Sequence, residues 1–427
     1  MGTRRWLWLA VSATTCAVFS SITLAQGPTL PSVADLTRQA SHQTTIPART
    51  ALEPATSSLF LTADLIEPGR VPNVLRALSL IPRSAVPFGA AFKALLYGGS
   101  VDPETKMAMG LEIGRVLQSP YVVVHLRRLL SATDKGRTVL RHIEDGGDIR
   151  PEQRLALDYA ERLTRDVHGI DDERFRQVRG YYTDPQIVEL TLTVSYFNYF
   201  TRFAQAVNPP VEPWALEAVA HPQSVKRERN LARVGLISDA QIEWAAGVVA
   251  QRNRLSTSRP ADGGLGLGMV NSQRAMNLVP DITAAWRAYT GSLGSDSVVS
   301  QEIKLQVSFA VSTANGCRYC TLHQVLGLRR LGVSPEKLLQ MQKDDSALTP
   351  RELVAVKFAR QLTRDPSSVT DKDYEGLRAE FGERGALEVV LQTCNFAFMN
   401  RFTDNLGLPS EDEAIRVYRE VYGGDWK

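Results

Sequence analysis

The chain repeats itself, and the repeat restricts its architecture more than any other feature. At a constant offset, residues 73–125 lie over 271–323 without a gap. Asn73, Arg76, Ala77, Leu80 and Pro82 fall on Asn271, Arg274, Ala275, Leu278 and Pro280. Further along, Glu104, Lys106, Tyr121 and His125 fall on Glu302, Lys304, Tyr319 and His323. One inserted residue later, 151–203 covers 350–402, with Leu163-Thr164-Arg165-Asp166 over Leu362-Thr363-Arg364-Asp365 and Arg202-Phe203 over Arg401-Phe402. Such self-similarity means two copies of one domain, and 427 residues give each copy enough chain to bury its own core.

Periodicity sets the fold class. Ile303, Val307, Ala310, Val311 and Ala314 recur at three- and four-residue spacing, as one buried helical face requires. Asn315-Gly316 interrupts that face, and a new helix is expected to begin near Cys317. Pro350 opens another helix that runs through Leu362 and stops at Asp365-Pro366. Thr370 with Asp373 caps a short helix around Tyr374 and Leu377. The last long element, Ala386 to Leu406, carries β-branched residues, but its length favours helix. The same stations recur in the first copy, so the expected class is all-α: two tandem helical domains whose helices pair across a duplicated core.

The remaining segments set the boundaries. Arg4 and Arg5 precede an apolar run from Trp6 to Phe19, and Thr23-Leu24-Ala25 offers small residues for cleavage, so 1–25 reads as an export signal. The paired arginines also fit a twin-arginine leader, and Trp6 to Ala25 would just cross a bilayer as an uncleaved anchor. An irregular lead-in occupies 26–70, the first domain 71–207, a linker 208–268 and the second domain 269–427. Within the linker, Ser238 to Val249 reads as a helix, and the glycines from Gly263 to Gly268 read as a joint, because no strand precedes them as a dinucleotide fingerprint requires. The net charge is +3, and loss of Arg4 and Arg5 with the leader leaves the signs nearly balanced, so net charge gives no support to nucleic-acid binding.

Chemistry concentrates in Asn315-Gly316-Cys317-Arg318-Tyr319-Cys320-Thr321-Leu322-His323. Residues three apart on a helix share a face, so Cys317, Cys320 and His323 line up. At a helix amino terminus the unpaired N–H groups favour a thiolate, and a low-pKa thiol beside a second thiol suits disulfide or peroxide chemistry. Three rival readings use the same residues. Cys317 and Cys320 would form an inert disulfide in an oxidising compartment. With His323 they would supply three metal ligands, one short of a structural zinc site, and no metal or other cofactor is expected. Covalent haem is excluded because Thr321, not His, follows the second cysteine. Cys394 reads as a buried small hydrophobe.

The duplicated pattern, with its C-R-Y-C-x-x-H station, its L-T-R-D helix end and its closing N-R-F element, resembles the carboxymuconolactone decarboxylase and alkylhydroperoxidase D superfamily over roughly 73–207 and 271–408. The resemblance implies an all-helical fold, a homo-oligomer, and in thiol-bearing members a peroxidase resting on a CxxC pair and a His. By that analogy Cys320 attacks a hydroperoxide, Cys317 closes the disulfide, His323 helps move the proton, and an external dithiol resets the pair. Only Thr321 and Leu322 separate Cys320 from His323, one residue fewer than in the better-known peroxidases. The family's relay glutamate falls on Leu305, and Glu302, a turn earlier, is the substitute. Ser119, Tyr121, Val122 and His125 form the first copy's vestigial station, which has no thiol. Tyr319, Asn400 and Arg401 are either substrate contacts or structural, and Arg202 and Arg401 are expected to anchor ion pairs between helices. A thiol-independent lactone decarboxylase or isomerase using His125 or His323, and a non-catalytic helical assembly module with a structural disulfide, are the alternatives to the peroxidase.

Overall fold

A computed structural model describes residues 30–217 and 270–426, apart from 61–64, 68, 82 and 295. The leader at 1–25, the linker helix from Ser238 to Val249 and the glycine run from Gly263 to Gly268 lie outside those residues. Among the described residues the regular structure is entirely helical. The first copy is preceded by α1 (Val33–Ser41) and comprises α2 (Asn73–Leu78), α3 (Ala85–Tyr97), α4 (Pro103–Val116), α5 (Pro120–Ser131), α6 (Asp134–Asp145), α7 (Pro151–Arg165), α8 (Asp172–Arg179), α9 (Asp184–Val207) and α10 (Pro213–Leu216). The second comprises α11 (Asn271–Met276), α12 (Pro280–Ser292), α13 (Gln301–Ala314), α14 (Arg318–Arg330), α15 (Pro335–Lys343), α16 (Pro350–Arg364), α17 (Asp371–Asn405) and α18 (Asp412–Tyr422).

Local chemistry accounts for the ends. Thr349 and Glu352 form a capping box at the start of α16, and Thr370 and Asp373 form another at α17. Gly382, at φ 69° and ψ 175°, breaks α17 into a short and a long helix laid end to end, matching the separate α8 and α9. The lead-in is less irregular than its sequence suggests. Ser32 accepts from the Asp35 amide and caps α1, whose Val33, Leu36 and Ala40 are buried on a helix that packs against α5 and α6. One apolar stripe on nine residues is too short to stand out from the flanking Thr and Ser.

Contacts recur at the sequence offset. Lys106 Nζ lies 2.7 Å from Glu189, which accepts from the Ser100 and Val101 amides. Lys304 lies 3.4 Å from Glu388, which accepts from the Val298 and Val299 amides. In each half a carboxylate on the long closing helix thus pins the loop that enters the fourth or thirteenth helix.

The two halves meet through α9 and α17, the most extensive helix pair, together with α3 against α12. Trp286 stacks on Phe398 at 4.4 Å, and the Tyr199 and Tyr289 hydroxyls hydrogen-bond between the halves. Arg401, 2% exposed, donates across the boundary to Leu163 O (3.1 Å) and Thr164 O (2.9 Å). Arg202 donates in the opposite sense to Thr363 O (3.3 Å) and, within α9, to Asn198 Oδ1 (2.6 Å). Among the described residues, therefore, neither arginine anchors an ion pair, contrary to expectation. The carbonyls at the ends of α7 and α16 have no intrahelical partner and carry the negative end of the helix dipole, so each guanidinium satisfies them directly. Burial lowers Arg202 to about 10 and Arg401 well below the usual arginine range.

Removing Arg401 orphans carbonyls sealed from water. Arg401→Ala is expected to cost about 3 kcal/mol in urea unfolding. Exposed Arg416→Ala is expected to stay within about 0.5 kcal/mol.

Candidate active site

Helix α13 ends at Ala314, and Gly316, at φ +69°, turns the chain into α14. Cys317 is the N-cap of α14, and its Sγ accepts from the Cys320 amide at 3.5 Å. That arrangement places Cys320 in the first turn with its sulfur beside Cys317. The long half of α17 supplies the other wall. Thr403 Oγ1 lies 3.4 Å from Cys317 Sγ and 3.2 Å from Cys320 Sγ. The same hydroxyl is 2.9 Å from Met399 O, so its single hydrogen chooses between a carbonyl and a thiolate. Asn400 bonds to Ser312 and Asn315 and also reaches Cys320.

The two sulfurs are inequivalent. Burial pushes Cys317 well above its ordinary value, and the neighbouring Cys320 pushes it further. Burial also pushes Cys320 up, but hydrogen bonds from Cys317, Thr403 and Asn400, with the charge of His323, outweigh it and hold Cys320 below its ordinary value. Both are free thiols, 0% and 3% exposed, behind the partly buried Phe396, Met399 and Leu408. Cys394 is a buried thiol in the main core, where burial pushes it far up, as a small hydrophobe would be.

His323 stacks on Tyr319 at 4.2 Å. Its Nδ1 meets Tyr319 O at 2.6 Å and its Nε2 meets Glu411 Oε2 at 2.5 Å. Both ring nitrogens therefore face acceptors. Glu411 also accepts from the Asn271 amide (2.7 Å) and the Tyr319 hydroxyl (3.2 Å). The first copy builds the same cluster without thiols: Glu212 accepts from the Asn73 amide, the Tyr121 hydroxyl at 2.9 Å and His125 Nε2 at 2.8 Å. Ser119 caps α5 without a side-chain bond, and Val122 is fully buried. The histidine, tyrosine and glutamate therefore tie the segment after the long closing helix of each half to α5 or α14 whether or not sulfur is present.

Glu302 does not join the cluster. It pairs with Lys337 at 2.9 Å and accepts from Gln306, in the first turn of α13, about 20 Å of helix away from Cys317. The carboxylate that meets His323 is Glu411. Arg401 faces the other half of the chain and does not reach the thiols, while Asn400 does. Tyr319 is held by Glu411 and the Ser272 amide, with burial raising it above the usual tyrosine range. Sequence reasoning missed Glu411 and Thr403. Carrying the repeat a few residues further puts Pro210 over Pro409 and Glu212 over Glu411, which would have found the first. Thr403 falls on Ala204, so no repeat signal marks it.

Burial pushes Glu411 up, but the hydrogen bonds from His323 and Asn271 and the imidazole charge outweigh it and bring the carboxyl down to about 2. A depressed carboxylate contributes stability that is present above its unfolded value, about 4.3, and lost as pH falls toward the folded one. Glu411→Gln is accordingly expected to lower the urea midpoint at neutral pH and to flatten its fall between pH 5 and pH 2.

A family model described as the Carboxymuconolactone decarboxylase family matches residues 280–361. No curated protein and no solved structure matches the chain. The matched span runs from α12 into α16 and contains the whole C-x-x-C helix. Over that span the thiol-bearing half of the chain is similar to the carboxymuconolactone decarboxylase family.

Proposed function

We propose that the second domain reduces hydroperoxides through Cys320 and Cys317, as part of an exported homo-oligomeric protein reset by an external dithiol. The observation that carries the reading is the shared Thr403 hydroxyl, within 3.4 Å of both sulfurs, beside one thiol held low and one held high. In the first step the Cys320 thiolate attacks the terminal peroxide oxygen. The S–O bond forms, the O–O bond breaks, and the departing alkoxide takes a proton from solvent. In the second, the Cys317 sulfur attacks the Cys320 sulfenic acid, forming the disulfide and releasing water. A small dithiol then returns two electrons and two protons. His323 is not the proton carrier in this scheme, since Glu411 and Tyr319 O occupy both its nitrogens.

The burial of both sulfurs favours a second reading, a non-catalytic helical module in which the pair clamps the start of α14. Access to the thiols requires the shell of Phe396, Met399 and Leu408 to open, and opening of that kind suits small peroxides more than bulky ones.

The test is addition of one equivalent of an organic hydroperoxide to the reduced protein, followed by mass measurement. The peroxidase reading expects a Cys317–Cys320 disulfide with loss of two hydrogens, a trapped sulfenic acid in Cys317→Ser, and at least a hundredfold loss of peroxide consumption in Cys320→Ser. An unreacted parent, or equal consumption by Cys320→Ser, supports the clamp.

A further inference from the structure

A side chain of the thiol-free half reaches the two segments that carry the thiol site. The loop after α7 carries His168, whose backbone is fixed by Asp166 (His168 N to Oδ1, 2.9 Å) and whose ring is half-exposed. His168 Nδ1 lies 2.7 Å from Asp404, the residue after Thr403 on α17. On its other side the ring abuts the turn before Cys317: a Cβ placed on Gly316 would stand 3.0 Å from His168 Nε2. One side chain from the first half thus touches both walls of the sulfur site, the turn that delivers Cys317 and the helix end that delivers Thr403.

The equivalent stations in the thiol-free copy lack every part of this contact. Gly316 falls on Gln118, Thr403 on Ala204, Asp404 on Gln205 and His168 on Ser367. Gln118 takes a left-handed φ of 52° with a full side chain, so the turn itself does not demand glycine. At 316 the left-handed φ favours glycine, and a Cβ there would in addition crowd His168. Asp404, only 17% exposed, lies near Asp166 as well, and burial together with that second acid pushes its carboxyl up. Without His168 it would be an uncompensated acid one residue from the hydroxyl shared by the sulfurs.

We propose that His168 is a positioning residue for the thiol pair, supplied by the half that has no thiols: paired with Asp404, it fixes the Gly316 turn and the helix end that carries the Thr403 hydroxyl. The inference deepens the peroxidase reading and rests on its assignment of Cys320 as the reacting thiol. The titratable groups that bear on the cluster are Asp166 and Asp404 around His168, and His323 and the Cys317 thiol around Cys320.

The test follows iodoacetamide labelling of Cys320 against pH in the full chain, located by mass, with Cys394 as the internal control for global opening. His168→Ala is expected to raise the midpoint of the Cys320 profile by roughly one pH unit, about tenfold less thiolate near neutral pH, with Cys394 labelling and melting temperature unchanged. Asp404→Asn added to His168→Ala is expected to bring labelling back to within about twofold of the parent, since it removes the uncompensated charge. A merely packing role would leave the double variant no better than the single. An unchanged profile in His168→Ala, a double variant as slow as the single, or Cys394 moving in parallel would overturn the proposal. Peroxide turnover plays no part in this readout, so failure of the peroxidase reading and failure of the positioning role are separable.

Discussion

Two arginine side chains sealed from water hold the crossing of α9 and α17, and the sulfur site depends on that crossing. Arg401 donates to the last carbonyls of α7, and Arg202 donates to the end of α16, so each half terminates a helix of the other. A buried guanidinium without a carboxylate is costly unless its donors are used, and a helix end offers the acceptors that make the burial tolerable. The contact fixes the register of α17. One residue before Arg401 stands Asn400, and two residues after it stands Thr403, both turned toward Cys320. The interface between the halves and the polar wall of the thiol site are therefore parts of a single helix.

Within that frame the two halves share a set of contacts and differ in the chemistry of one station. The carboxylate hubs Glu212 and Glu411 gather a backbone amide, a tyrosine and a histidine in the same way, and the lysine pairs Lys106–Glu189 and Lys304–Glu388 hold the same loops. What differs surrounds the start of the C-x-x-C helix: sulfur for Ser119 and Val122, a hydroxyl on α17 for Ala204, and a glycine in the preceding turn, against which a histidine from the other half rests. Polar groups added only where the thiols stand are those a buried thiolate needs to offset its desolvation.

Much of this was legible in the sequence. Apolar spacing marked α13 and α16, length marked the long helix from Ala386, and the capping pair Thr370 and Asp373 marked a start, because these signals are local. The C-x-x-C station was equally visible. Its surroundings were not, because Thr403, Asn400, Glu411 and His168 reach it only through tertiary packing from residues distant in the chain. The misplaced relay shows the same limit: Glu302 was sought one turn from the expected position along α13, while the acid beside His323 comes from the segment after α17. Arg202 and Arg401 were read as members of ion pairs because residue type alone does not reveal that the acceptors are helix-end carbonyls.

The central claim is that Cys320, though 3% exposed, is the more acidic of two adjacent thiols. Ultraviolet absorbance of the thiolate, titrated in the reduced parent and in Cys320→Ser, tests it most directly. The account predicts one thiolate that forms clearly below the ordinary cysteine value of about 8.5 and is absent from the variant. Absorbance that rises only above that value in both proteins would contradict it.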